Sequence, residues 1–336
     1  MNRIAIAGLL VVLVTAPILA AQQNAANPKP GIPSVQAPFA SLKPSATFKI
    51  GATADWVLVT SDSVWVAGSK PYSVQRIDPA TNRMVAKIKL SGEACSGLTF
   101  GFGSVWVPVC GKEPALVRVD VSTNRIGAVL PIAPAGPEGG ITAGGDSIWM
   151  VTDKAGGTLS RIDPATNTVG QKIALPAGSY NPLATGGTVW ITGHDKNLLT
   201  AVDAASGKLL ASIRVGPNPR FLASGGGAVW TLNQGDGSLT RVDMDSRKVT
   251  ATVALGIPGA GGDLDYGMGF VWATAMDLPI TAVDAETKQV RRQWVGPGGD
   301  SLRFGFDSVW VTDYHRGLLW RIPVEAVFAD TSAAGK

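Results

Sequence analysis

Tryptophan follows Val or Ile at positions 65, 106, 149, 190, 230, 272 and 310, with gaps of 41, 43, 41, 40, 42 and 38 residues. Seven of the ten tryptophans are therefore one repeated position. A large apolar residue recurring at that near-constant period implies seven copies of one supersecondary unit.

The flanks of each Trp repeat as well. A short apolar stretch and a Gly-rich turn precede it, as in GLTFGFGSVWV (97–107), GITAGGDSIWM (140–150) and SLRFGFDSVWV (301–311). A strand ending in an acidic turn follows, as in VQRIDPATNR (74–83) and LSRIDPATNT (159–168), and then a further short strand such as MVAKIKL (84–90). Four strands per unit, separated by turn chemistry and without a helical pattern, predict an all-β, seven-bladed β-propeller of four-stranded antiparallel blades. The Asp-Pro-Ala-Thr-Asn run fits a tight turn, because Asp bonds back to nearby amides and Pro presets φ. The Trp falls on the second strand, where it can fill the wedge between blades.

The seventh unit lacks a good fourth strand. SATFKIG near the start matches an outer strand, so Thr47 to Ile50 is expected to complete the last blade and close the ring. Ahead of it, Arg3 and the apolar run Ile4 to Ala20 have the pattern of a secretory signal peptide, residues 1–21. Residues 22–42 are rich in Pro, Ala, Ser and Gln and read as a flexible linker. The propeller itself spans 43–330 and a tail 331–336.

These features predict an exported protein, periplasmic or extracellular, without a membrane span after signal cleavage, and a monomer. The charge excess is only +4 with Lys and Arg scattered, which argues against a nucleic-acid partner. Cys95 and Cys110 are the only cysteines. Pairing Gly97 with Pro108 in the first hairpin of blade two sets them opposite each other, which predicts a structural disulfide.

The side chains at the mouth of each first strand, ten residues before the repeated Trp, are Asp55, Ser96, Gly139, Tyr180, Arg220, Gly262 and Asp300. Their neighbours include Trp56, Glu138, Asn181, Phe221, Asp263 and Ser301. This position varies between blades where packing positions do not, which marks a ligand surface for a small molecule, glycan or protein partner. His194 and His315 fall in second-to-third strand loops on the same face. Their separation by three blades, and the absence of HExxH or paired Cys-His spacing, argue against zinc. His315 sits beside Asp313, Tyr314 and Arg316 and is the better placed of the two. No GxSxG or SxxK signature is present.

The "GxGSVWVT…SRIDPATNxVxxxI" pattern resembles the YVTN-type propellers and the streptogramin B (virginiamycin B) lyase-like family, over essentially all of the chain after residue 44. That resemblance implies the propeller fold and, by extension, a magnesium-assisted elimination at a cyclic ester. The family's PHGIT-like mouths correspond here to PEGGIT (137–142), YNPLAT (180–185) and PRFLAS (219–224), where Gly139, Tyr180 and Arg220 stand in place of His. No cofactor is firmly implied. In an enzyme of this kind Asp55, Glu138, Asp263 and Asp300 are the candidate oxygen ligands for Mg or Ca, with His315 or Tyr180 as base. A binding or accessory module is the competing reading, and lactonase-like hydrolysis a further one.

Overall fold

The computed structural model describes residues 30–329, apart from 154 and 156. The expected signal peptide, residues 22–29 of the expected linker and the tail lie outside the described residues. Seven antiparallel sheets form seven blades, with little helix. Blade one is typical: Thr53–Val59, Val64–Ser69, Ser73–Asp78 and Arg83–Lys89, in that order outward from the axis. No helix among the described residues is long and apolar enough to cross a membrane.

All seven repeated tryptophans are fully buried. In five blades the third-strand Arg directly across from the Trp lays its guanidinium over the indole at 5.0 to 5.8 Å, a cation–π contact. Several of these arginines also reach the next blade. Arg76 donates to Val121 O and Asn124 Oδ1, Arg118 to Pro164 O and Asn167 Oδ1, and Arg321 of blade seven to Pro79 O and Asn82 Oδ1 of blade one. The Asn of the acidic turn thus has two functions. It adopts the left-handed conformation that the turn needs, φ +53° at Asn82 and +54° at Asn124, and it receives the neighbour's Arg. The preceding Asp accepts the turn amides as expected, for instance Ala80 N at 2.8 Å from Asp78.

Near the axis the blades almost touch. A Cβ added at Gly144 would lie 2.3 Å from Ala184 Cβ, and one at Gly305 would lie 2.5 Å from Val59, so the Gly five residues before Trp gives the next blade its room. Side chains on the first strands then bond across: Thr99 Oγ1 accepts Ala143 N, Thr142 Oγ1 accepts Ala184 N, and Asp265 accepts Phe304 N.

The ring closes as the sequence predicts, one residue earlier than expected. Ala46–Lys49 pairs antiparallel with Leu318–Pro323 as the outer strand of blade seven. The free-linker expectation fails for residues 30–42. Gln36–Pro38 pairs in parallel with the outer strand of blade six, and Ala37, Phe39 and Leu42 are buried in the core shared with blade seven. Pro-rich composition argued for disorder, but three apolar residues spaced along an extended segment are enough to dock it on an open sheet edge. Phe39 meets Trp320 at 5.0 Å between ring centroids. Phe39→Ala is therefore expected to lower the unfolding free energy by about 3 kcal/mol, measured by urea denaturation; a freely solvated linker would give no change.

Candidate functional site at the channel mouth

Four first strands are irregular at the point where they enter the channel. Pairing slips between Ala54 and Val57, between Ser179 and Pro182, and between Pro219 and Phe221, and in blade two residues 95–98 face only 107 and 108. These bulges contain Asp55, Tyr180, Arg220 and Ser96. A bulge re-aims the side chain it carries, so Asp55, Tyr180 and Arg220 leave the alternation of the strand at the mouth.

The blade-two bulge also changes the account of the disulfide. Cys95 and Cys110 are bonded, with Cα atoms 5.7 Å apart. The residue directly opposite Cys110 is Glu93, however, and Cys95 lies in the bulge. The simple hairpin register missed this because bulged residues leave no signal in apolar alternation. The bulge in turn holds blade three: Glu138 N donates to Cys95 O at 2.9 Å, and Gly97 N to Gly139 O at 3.0 Å. Glu138 is held there at φ +61°, a conformation unusual for a non-glycine residue.

The candidate residues separate into two groups. Ser96, Asn181, Phe221 and Asp263 are buried and engaged with protein. Asn181 Nδ2 donates to Arg220 O and Glu138 O. Phe221 faces Trp56 across the channel, 6.3 Å between ring centroids. Asp263 forms an ion pair with Arg303 at 2.5 Å and accepts the Ser301 hydroxyl, which itself accepts Val57 N. These groups knit blades six, seven and one together.

Asp55, Glu138 and Asp300 form the second group, and they remain without a cation within salt-bridge distance among the described residues. Burial pushes the Asp55 carboxyl well above the usual range, with Asp300 and then Glu138 adding like charge. Asp55 still keeps a strip of accessible surface, so the desolvation comes from the enclosing channel walls. Burial raises Asp300 to about 6, against the opposing pull of its hydrogen bond with Asp55. Glu138 is raised to about 7 by burial and then Asp300, against a weaker opposing pull from Arg220. Tyr314 is raised by burial and by Glu93, Asp55, Asp300 and Glu138, so its ring belongs to the same wall. His315 is exposed, edge-on to Tyr314 at 5.4 Å, and its charge acts on Asp300.

Beside Glu138, and across the mouth from Asp55 and Asp300, is Arg220. Its Nε donates to Glu138 O and one NH2 group to Pro137 O, both at 3.0 Å. Its guanidinium lies 3.7 Å over the Tyr180 ring, and His194 meets Tyr180 edge-on. The two histidines therefore stand on opposite walls. Below the mouth, Trp56 lines a half-open channel cavity of about 180 Å³ with Thr99, Thr142, Leu183, Leu222 and Arg303. The Trp56 indole Nε1 is buried with no hydrogen-bond partner among the described residues. A larger groove between blades two and three is lined by Arg118 and Arg161, whose guanidinium groups are already spent on Trp stacking and inter-blade bonds.

The residues do not fit a preformed Mg or Ca site. No three or more His, Cys, Asp or Glu among the described residues are grouped to hold a metal. Asp263 is committed to Arg303, and Asp55 and Asp300 are hydrogen-bonded to each other. No protein-family model matches the chain, and no curated protein does.

The raised carboxyls set a sign for stability against pH. Each binds its proton more tightly folded than unfolded, so its contribution is complete below the ordinary carboxylate range and is lost as pH rises through about 6 to about 7. Asp300→Asn removes one of the like charges. It is expected to stabilise the fold by roughly 1–2 kcal/mol at about pH 8 and to have little effect near pH 4, as read by urea denaturation at the two values.

Proposed function

We propose that this propeller is a binding module that captures a small polar ligand carrying a cationic group at the channel mouth. The observation that carries this reading is the convergence of Asp55, Glu138 and Asp300 from blades one, three and seven, desolvated and with no cation within salt-bridge distance among the described residues. Charges left unpaired in a concave, partly dehydrated site are costly to the fold, and a bound ammonium group offsets that cost. The mouth also presents Tyr314, Tyr180 and His315 as polar-aromatic walls.

Export to the periplasm or outside the cell is part of the proposal. The disulfide supports it, since such bonds persist in oxidising compartments, and so does the apolar run Ile4 to Ala20. The likeness of the blades to YVTN-type and streptogramin lyase-like propellers supports a place among exported bacterial propellers.

A second reading rests on a separate observation. Glu138 near 7 is suited to general acid–base work at neutral pH, as a lyase or hydrolase acting on a cyclic ester or lactone requires. In that case turnover of a cyclic depsipeptide follows a pH profile with an inflection near 7, and Glu138→Gln abolishes it.

The binding reading is tested with ethylamine as the probe, by isothermal titration. Affinity is expected to rise as pH increases from about 5 to about 8, as Glu138 and Asp300 lose their protons beside Asp55, Asp263, Arg220, Tyr314 and His315. Asp300→Asn is expected to weaken binding about tenfold. Binding that is absent, or unaltered by both pH and Asp300→Asn, rejects the reading.

A further inference from the structure

The mouth is bipolar, and its opposite charges are not joined in a direct ion pair. Elsewhere around the channel, acids and bases are paired directly: Asp263 with Arg303, and Asp313 with Arg316. Arg220 departs from this. No carboxylate among the described residues lies within salt-bridge distance of its guanidinium. Its bonded partners are two backbone carbonyls, which hold it in place, while Glu138 and Asp195 act on its charge only from beyond ion-pair distance. Stacking on Tyr180 fixes the plane of the guanidinium. Burial works against its charge, so it sits partly dehydrated on the wall that blades four and five form.

On the opposing wall Asp55 and Asp300 are likewise without a cation. Just below the mouth, next in the chain after Asp55, Trp56 keeps a buried indole N–H with no acceptor among the described residues. Three kinds of unmet demand thus lie at and just below one opening. Among the described residues the acids have no directly paired cation, the guanidinium no directly paired anion, and an N–H donor no oxygen.

We infer that the ligand is a small zwitterion, an α-amino acid or a short peptide, with its ammonium group against Asp55 and Asp300 and its carboxylate turned to Arg220. This rests on the binding reading above and narrows it. Such a ligand satisfies both walls without bringing net charge into the channel, whereas a simple amine leaves Arg220 without a directly bonded anion. Guanidinium is suited to the task, because its planar fork matches a carboxylate. The side chain of the ligand has the aromatic surfaces of Tyr180 and Tyr314 on either side.

The experiment compares four probes on the wild-type protein by isothermal titration: alanine, alanyl-alanine, ethylamine and propionate. Either zwitterion is expected to bind at least tenfold more tightly than both single-headed probes, and the stronger of the two distinguishes a free amino acid from a peptide. The Trp56 indole N–H, followed by NMR, is expected to shift with the zwitterions and not with ethylamine. Arg220→Gln is expected to reduce zwitterion affinity to that of ethylamine, its folding checked by thermal denaturation. Since the comparison of probes needs no variant, an unfolded Arg220→Gln leaves it intact. Equal binding of ethylamine and the zwitterions overturns the inference and leaves the cation reading standing. Failure of all four overturns both. Binding of propionate alone also overturns both, and reassigns the mouth to anions through Arg220.

Discussion

Seven sheets packed radially leave gaps that widen away from the axis, and the fold depends on filling them. One indole per blade does so, and it explains why the Trp period is the strongest feature of the chain. An indole alone leaves its outer face and the neighbouring turn unsatisfied. The Arg across from it covers that face, and in blades one, two and seven it reaches on to the next blade's turn. Blades four and six have Ala201 and Ala282 at this position, so there the contact between neighbours relies on apolar packing and on the first strands. At the axis the demand is reversed. Space is short, and glycine is required where the blades nearly touch.

The same chain carries two populations of aspartate with opposite electrostatics. Turn aspartates on the rim are exposed and surrounded by donors; Asp120, held by the Ser122 hydroxyl and neighbouring amides, falls to about 2. Their charge is useful for local geometry. Asp55 and Asp300 at the mouth are enclosed, and that burial raises both; Asp300 lifts Asp55 further, while the hydrogen bond between them pulls Asp300 back. A fold has no need of that second arrangement, since the Asp263–Arg303 pair shows how the same channel stabilises a buried acid. Acids kept at a cost to stability are the physical reason for locating function here rather than in the larger groove between blades two and three.

Blade number, strand order, the disulfide pair and ring closure were all legible from residue type and period. Blade number and strand order are enforced by repetition, and any one blade can be checked against six others. The disulfide pair and ring closure rest instead on single features, the two cysteines and the missing fourth strand of the last unit. The mouth was legible as a position, through the divergence of Asp55, Tyr180, Arg220 and Asp300. Its inner division was not. Which acids are paired depends on Arg303, seven residues before its own Trp, crossing to Asp263 in another blade. The bulges at Asp55, Tyr180 and Arg220 are equally silent in sequence, because one extra residue disturbs no apolar pattern long enough to be noticed. The docking of residues 30–42 was missed for a related reason. A segment that borrows its hydrogen bonds from an existing edge needs no periodicity of its own.

The outer strand of blade seven has a consequence for how the molecule is made. Each of the other six sheets takes its four main strands from consecutive stretches of chain, and can assemble from neighbours as soon as these are present. The last sheet cannot. Ser45 bonds Arg321 across 276 residues, so the strand beginning at Ala46 must wait for the far end of the chain before it has a partner. Until then it is an unpaired edge beside an incomplete sheet, the condition under which β proteins associate wrongly. Pairing at such a distance also places closure late and makes folding slow. The ring behaves as a bracelet whose clasp is made of its first link, and the seam between blades seven and one is where the circle is completed last.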